Sequence, residues 1–152
     1  MKIALYIAFQ NKSSTDCCKE IIDLIAENNQ LIIDTKIKNE LDKSRRNKFI
    51  FFDSNERIDS DIDFVFAIGG DGTILRSITY VKDSNIPILG VNTGRLGFLT
   101  SVQKESIRDA ISHIKNKEYT LIDRTILKVN LGNLNNNFAN YPYALNEITI
   151  QR

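Results

Sequence analysis

The chain has no excess of charge of either sign: 20 Lys and Arg face 19 Asp and Glu, leaving a formal charge of +1. That balance argues against a nucleic-acid coat or an electrostatic membrane binder, so neither nucleic acid nor a membrane is expected as a partner. No apolar run approaches the ~20 residues that span a bilayer. The apolar opening, Ile3 to Phe9, stops at Gln10-Asn11-Lys12 without a small-residue cleavage site, and it reads as a first strand instead of a signal peptide. Cysteine is scarce. The two present, Cys17 and Cys18, are adjacent, which is poor geometry for a disulfide, and they lack partners for a zinc site. The single histidine, His113, has no partners for a catalytic or metal role. A cytoplasmic protein without a metal cage of its own is the expectation.

What remains is an ordinary globular composition over 152 residues, 42% apolar and 26% charged, enough for one domain or one domain plus part of a second. Residues 2–9 read as a buried strand. Cys18, Ile21, Ile22 and Ile25 recur at helical spacing over 15–28, with Ser13, Ser14, Thr15 and Asp16 available as caps. A short strand is expected at Leu31 to Ile33. The basic stretch Lys43, Arg45, Arg46 and Lys48 reads as a solvated helix face or loop, followed by Phe49 to Phe52.

The middle of the chain is the most informative part. Phe64 to Ile68 is a short run rich in β-formers that enters Gly69-Gly70-Asp71-Gly72-Thr73. Ile74, Leu75, Ile78 and Val81 then repeat at helical spacing. Another strand, Ile88 to Val91, runs into a second glycine-containing turn, Asn92 to Leu99. Strand, helix and strand in succession predict a parallel α/β unit, with both turns at the carboxyl ends of strands, where ligands of such sheets bind. After Thr100 the spacing of Ile107, Ala110, Ile111 and Ile114 predicts an amphipathic helix ending near Lys117. Two strand-like segments follow, Tyr119 to Leu131 and Ala144 to Ile150, around a turn-rich connector beginning at Gly132. The expected organisation is an α/β domain over 1–100 and the truncated opening of a β-rich domain over 101–152.

A strand that feeds a glycine-rich turn and then a helix directs backbone N–H groups and the positive end of the helix dipole at a bound phosphate. Thr73 would cap that helix or touch the phosphate. Asp71-Gly72 also fits a hairpin turn, but the helical spacing downstream disfavours it. A carboxylate among phosphate-binding amides repels an anion unless it meets a hydroxyl or a metal. Asp71 therefore suits a general base that orients and deprotonates an attacking alcohol, the alternative being a plain helix cap. Neither a Walker P-loop nor the G-x-G-x-x-G dinucleotide fingerprint is present.

Gly69-Gly70-Asp71-Gly72-Thr73 resembles the signature of the kinase superfamily that contains NAD kinases, 6-phosphofructokinases and diacylglycerol or sphingosine lipid kinases. Gly90-Val91-Asn92-Thr93-Gly94-Arg95-Leu96-Gly97-Phe98-Leu99 is similar to the NAD kinase block at that place, where lipid kinases differ. Ala144-Leu145-Asn146-Glu147-Ile148 resembles the NAD kinase Asn-Glu substrate-binding pair, and Arg124 also fits. The resemblance implies a Rossmann-like parallel sheet followed by a β-rich domain. It implies transfer of the terminal phosphate of ATP to the adenosine-ribose 2′-hydroxyl of NAD, giving NADP.

By the same resemblance Asp71 is the proton acceptor. Gly72 and Arg76 help hold the dinucleotide, and Asn146 and Glu147 bond its base or ribose. Gly69, Gly70 and Thr73 shape the phosphate turn, while Asn92, Gly94 and Phe98 line the neighbouring crevice. Mg²⁺ or another divalent ion is expected with ATP, NAD and ATP are the expected partners, and the full-length protein is expected to be a homo-oligomer. A lipid kinase of the same superfamily, or an inactive nucleotide-binding fragment, is the alternative.

Overall fold

The computed structural model describes residues 1–54, 58–59, 61–94, 97–130, 142–145 and 147–149. Six strands form one sheet: β1 (Lys2–Tyr6), β2 (Gln30–Asp34), β3 (Ile50–Phe52), β4 (Phe64–Gly69), β5 (Ile88–Asn92) and β6 (Val102–Gln103). Their order is β3-β2-β1-β4-β5-β6, and each neighbouring pair is parallel. This is the doubly wound arrangement, with its order reversing between β1 and β4.

The helices explain why the strands read as continuous apolar runs. Helix α1 (Lys12–Ile25) and helix α4 (Ile107–Lys115) cover one face, where Ile3, Leu5, Phe66 and Ile68 meet Ile21, Ile22, Ile107 and Ile111. Helix α3 (Asp71–Val81) covers the other, where Ala4, Tyr6, Val65 and Ala67 meet Ile74, Tyr80 and Val81. Alternate residues of β4 thus enter different cores, and a strand buried on both faces has no polar side to show. Each fully buried Ile or Phe contributes roughly 1.5–3 kcal/mol. Leu75, expected on the apolar face of α3, is instead 37% exposed, and Ser77 and Tyr80 take the buried positions.

Helix α1 starts earlier than the sequence predicts. Asn11 is its cap: the Asn11 side chain accepts from the Ser14 N–H at 3.0 Å, and Ser14 Oγ accepts from the Asn11 N–H at 3.1 Å. The reciprocal pair satisfies two amide donors at once, which Ser13, Thr15 or Asp16 does not achieve. The basic stretch forms the short exposed helix α2 (Lys43–Arg46), where Arg45 pairs with Asp23 and Arg46 Nε donates to the Leu41 carbonyl. His113 is exposed beside Glu118, 3.0 Å from its carboxylate.

Two features mark the chain after residue 100. β6 extends the first sheet, and Ile107, Ile111 and Ile114 of α4 belong to its core. The strand expected from Tyr119 to Leu131 is limited to β7 (Leu127–Lys128), which pairs antiparallel with β8 (Tyr143–Ala144). Leu121 and Ile122 are 64% and 77% exposed. A strand needs a partner for its backbone groups, and residues 119–126 have none among the described residues. The connector from Gly132 to Asn137, and Ile150, lie outside the described residues.

Candidate active site

The glycine turn lies at the carboxyl end of β4, beside the point where the strand order reverses. Gly69 is the one residue of the turn whose backbone demands glycine. Its φ is +156°, and an added Cβ would stand 2.1 Å from Thr73 Oγ1. Thr73 is buried, its N–H donating to the Gly70 carbonyl at 2.8 Å, so its side chain braces the turn from inside. Gly70 caps α3 in an extended conformation without any side-chain bond. An added Cβ at Gly70 or Gly72 meets nothing within 4 Å. Of the three glycines, Gly69 alone is one whose backbone requires glycine. At Gly70 and Gly72 glycine leaves open space over the helix start.

Asp71 does not cap its own helix. Its carboxylate reaches across to the loop after β5: Oδ2 accepts from the Phe98 N–H at 2.8 Å, and Oδ1 accepts from Leu99 at 3.0 Å and Thr100 at 3.3 Å. These backbone donors, Phe98 foremost, favour the ionised form and hold the carboxyl below its ordinary range, with slight burial opposing them.

Asn92 ends β5 opposite Gly69 and is 1% exposed. Its Nδ2 donates to Thr100 Oγ1 at 3.1 Å, and its Oδ1 accepts from the Gly94 N–H at 2.8 Å. Asn92, expected to line the crevice, ties the loop together from beneath. Gly94 is exposed with open space around it, and the Phe98 side chain is 98% exposed above its Asp71-bound amide. Arg95 and Leu96 lie outside the described residues.

Arg76 sits on the exposed side of α3, its guanidinium 4.7 Å from the ring centroid of Phe9 in the loop after β1. Ser13 Oγ donates to the Thr93 carbonyl at 2.7 Å, and the Thr93 N–H donates to the Gly69 carbonyl at 3.1 Å. Three loops thus meet at one end of the sheet. β8 lies against α3, and the exposed Glu147 follows three residues after β8 ends; Asn146 lies outside the described residues. The structure therefore brings Gly69 to Thr73, Arg76, Asn92, Gly94 and Phe98 together. Phe9, Ser13 and Gly97 join them without having been assigned to the site. Of the three only Gly97 carried a signal, as part of the motif from Gly90 to Leu99, because backbone amides and cross-loop bonds leave no mark on residue identity.

The chemistry available is that of a shelf for anions with one oriented carboxylate. Among the described residues no cluster of three His, Cys, Asp or Glu side chains could hold a metal ion. Cys17 and Cys18 stay out of this chemistry. Burial pushes the Cys17 thiol up to about 12 and the Cys18 thiol up as well, opposite to the activation a helix N-terminus would bring. An open concavity of about 620 Å³, lined by Met1, Asp63, Phe64, Pro87 and Tyr119 among others, lies at the opposite end of the sheet.

The family model described as the ATP-NAD kinase N-terminal domain matches residues 8–119. The chain is 36% identical over 155 aligned positions to a NAD kinase of Flavobacterium johnsoniae, covering 100% of this chain and 53% of that protein. It is 31% identical to a NAD kinase of Methanothermobacter thermautotrophicus, covering 99% of this chain and 49% of that one. The chain thus spans about half the length of the curated relatives it matches. Among solved structures, yeast NADH kinase complexed with NADH superposes with a TM-score of 0.68 at 17% identity, covering 84% of this chain and 41% of that one. At that identity the likeness speaks for the fold.

Proposed function

The chain belongs to the ATP-NAD kinase N-terminal domain family, and from that premise we propose that it forms the catalytic α/β half of a NAD kinase. The reaction is transfer of the terminal phosphate of ATP to the adenosine-ribose 2′-hydroxyl of NAD. The new bond joins the ribose 2′ oxygen to the γ-phosphorus, and the bond from γ-phosphorus to the bridging oxygen breaks, releasing ADP. The hydroxyl proton passes to Asp71. The observation that carries this reading is the Asp71 carboxylate, fixed by the Phe98, Leu99 and Thr100 amides at the strand ends where the sheet order reverses.

The open helix start at Gly70 and Gly72 suits phosphate, and the exposed Arg76 and Phe98 suit the dinucleotide. Glu147, with Asn146 beside it in sequence, would bond the base or ribose from the β8 side. A divalent ion such as Mg²⁺ offsets phosphate charge in this chemistry. The described residues do not form a cage for it, so it would enter on the phosphates of ATP. We place the division between the two domains near residue 119, after α4 has completed the first core. A homo-oligomer in the cytoplasm completes the reading.

The test is incubation of the complete protein with ATP and NAD, with NADP measured by an NADP-specific dehydrogenase. Diacylglycerol vesicles serve as a parallel acceptor. NADP formation supports the proposal; lipid phosphorylation without NADP replaces it with a lipid kinase.

A further inference from the structure

Gly97 stands where the Asp71 carboxylate needs room. An added Cβ would lie 2.1 Å from Asp71 Oδ1, 2.6 Å from Cγ and 2.9 Å from Oδ2, all well inside contact. Its backbone is not the reason for glycine, since among the described glycines only Gly69 has a positive φ. The three residues that follow donate consecutive amides to the carboxylate, forming an anion nest already filled by a side chain of the same protein.

The nest treats the two oxygens differently. Among the described residues Oδ1 accepts two N–H groups and Oδ2 one. A carboxylate oxygen has two lone-pair directions, so Oδ1 is full and Oδ2 keeps one. The nest is itself anchored. Asn92, buried at the end of β5, bonds Thr100 Oγ1, and the Ser101 N–H donates to the Gly90 carbonyl at 3.0 Å.

We propose that Gly97 and Asn92 are positioning residues for Asp71: Gly97 by keeping the nest open, Asn92 by holding Thr100, so that Oδ2 presents its remaining lone pair to the acceptor hydroxyl. The inference rests on the kinase reading for its purpose but not for its geometry. Phosphoryl transfer asks more for alignment of the attacking oxygen than for a strong base, and a carboxylate fixed by three amides supplies alignment. Among the described residues no charged side chain bonds the Asp71 carboxylate. The stretch 97–100 contains none, Arg76 of the same helix faces Phe9, and Glu147 beyond β8 is exposed. Lys12 and Asp16, at the start of α1, are exposed too.

The experiment is an NMR titration of the Asp71 side-chain carboxyl carbon in the 152-residue chain, paired with steady-state kinetics of the complete enzyme. Gly97→Ala should move the Asp71 titration up towards the ordinary carboxylate range. In the complete enzyme it should lower kcat about a hundredfold, with KM for ATP changed less than about twofold and the acid limb of the pH profile moved in the same direction. Thr100→Val keeps the amide and removes only the Asn92 acceptor; Asn92→Ala and Thr100→Val should shift the titration the same way by less. An Asp71 titration that stays put in both Gly97→Ala and Thr100→Val overturns the proposal. If the titration moves while the unsubstituted enzyme makes no NADP, the nest stands and the kinase reading falls.

Discussion

The guanidinium of Arg76 lies 4.7 Å from the ring centroid of Phe9, joining the first turns of α3 to the loop that follows β1. Both side chains are exposed, so the contact orders a charge at the surface instead of filling a core. Their elements belong to β1 and β4, the neighbours between which the sheet reverses, where a dinucleotide would be expected to lie.

A cation over an exposed ring is worth about 0.5–1 kcal/mol. Phe9→Ala should therefore raise KM for NAD by about two- to fivefold. Arg76→Ala, which also removes the charge, should raise it further, with kcat nearly unchanged in both. Steady-state kinetics of the complete enzyme checks the split; a fall in kcat at constant KM would place Arg76 elsewhere in the reaction.

The glycines of the turn should separate stability from activity. Gly69→Ala drives a Cβ into Thr73 at a φ of +156° and should cost about 2–3 kcal/mol. Gly72→Ala meets nothing within 4 Å and lies inside a helix, so it should leave the urea midpoint equal or raise stability by up to about 1 kcal/mol. Its penalty should appear instead as weaker nucleotide binding, measured by calorimetry.

The strand–turn–helix unit around Asp71 was legible because two independent signals coincide there: the apolar run of β4 and the helical spacing after Gly72. Helix α4 was legible from the helical spacing of Ile107, Ile111 and Ile114 alone. The start of α1 was not, since Asn11, Ser13, Ser14, Thr15 and Asp16 are all good caps and only the reciprocal bonds with Ser14 select Asn11. The two-residue β6 offers too little pattern to read. Residues 119–126 have the composition of a strand, and composition says nothing about whether a partner is at hand. At the site, the identity of Asp71 was readable but its bonding partners were not, because they are backbone amides 27–29 residues away.

Asp34 and Asp71 should respond to pH in opposite directions. Burial dominates at Asp34, which is 0% exposed, and raises its carboxyl despite bonds from the Lys36 and Ile7 N–H groups and the Lys36 ammonium. A raised folded value means that its contribution is full below the unfolded value of about 3.9 and is lost as pH rises through the folded one. Asp71, lowered in the fold, contributes above about 3.9 and loses that contribution as pH falls through its folded value. Urea midpoints of Asp34→Asn and Asp71→Asn between pH 3 and 7, each against the unsubstituted chain, should therefore diverge with opposite slopes.

Cys17 and Cys18 should be inert in the native state. Both are buried on the core face of α1, with thiols pushed up by burial, Cys17 to about 12. Native protein at pH 7.5 should react slowly with a thiol reagent, and unfolding in urea should release both groups at once. Rapid native labelling of either would contradict the packing of α1.

The most direct test of the account is the turnover of Asp71→Asn in the complete enzyme, with NAD binding measured on the same preparation. Asparagine keeps an oxygen for the loop amides but cannot take the hydroxyl proton. The account predicts that kcat falls by about 10²–10⁴-fold while the Kd for NAD changes little. A kcat within a few-fold of the unsubstituted enzyme would contradict it.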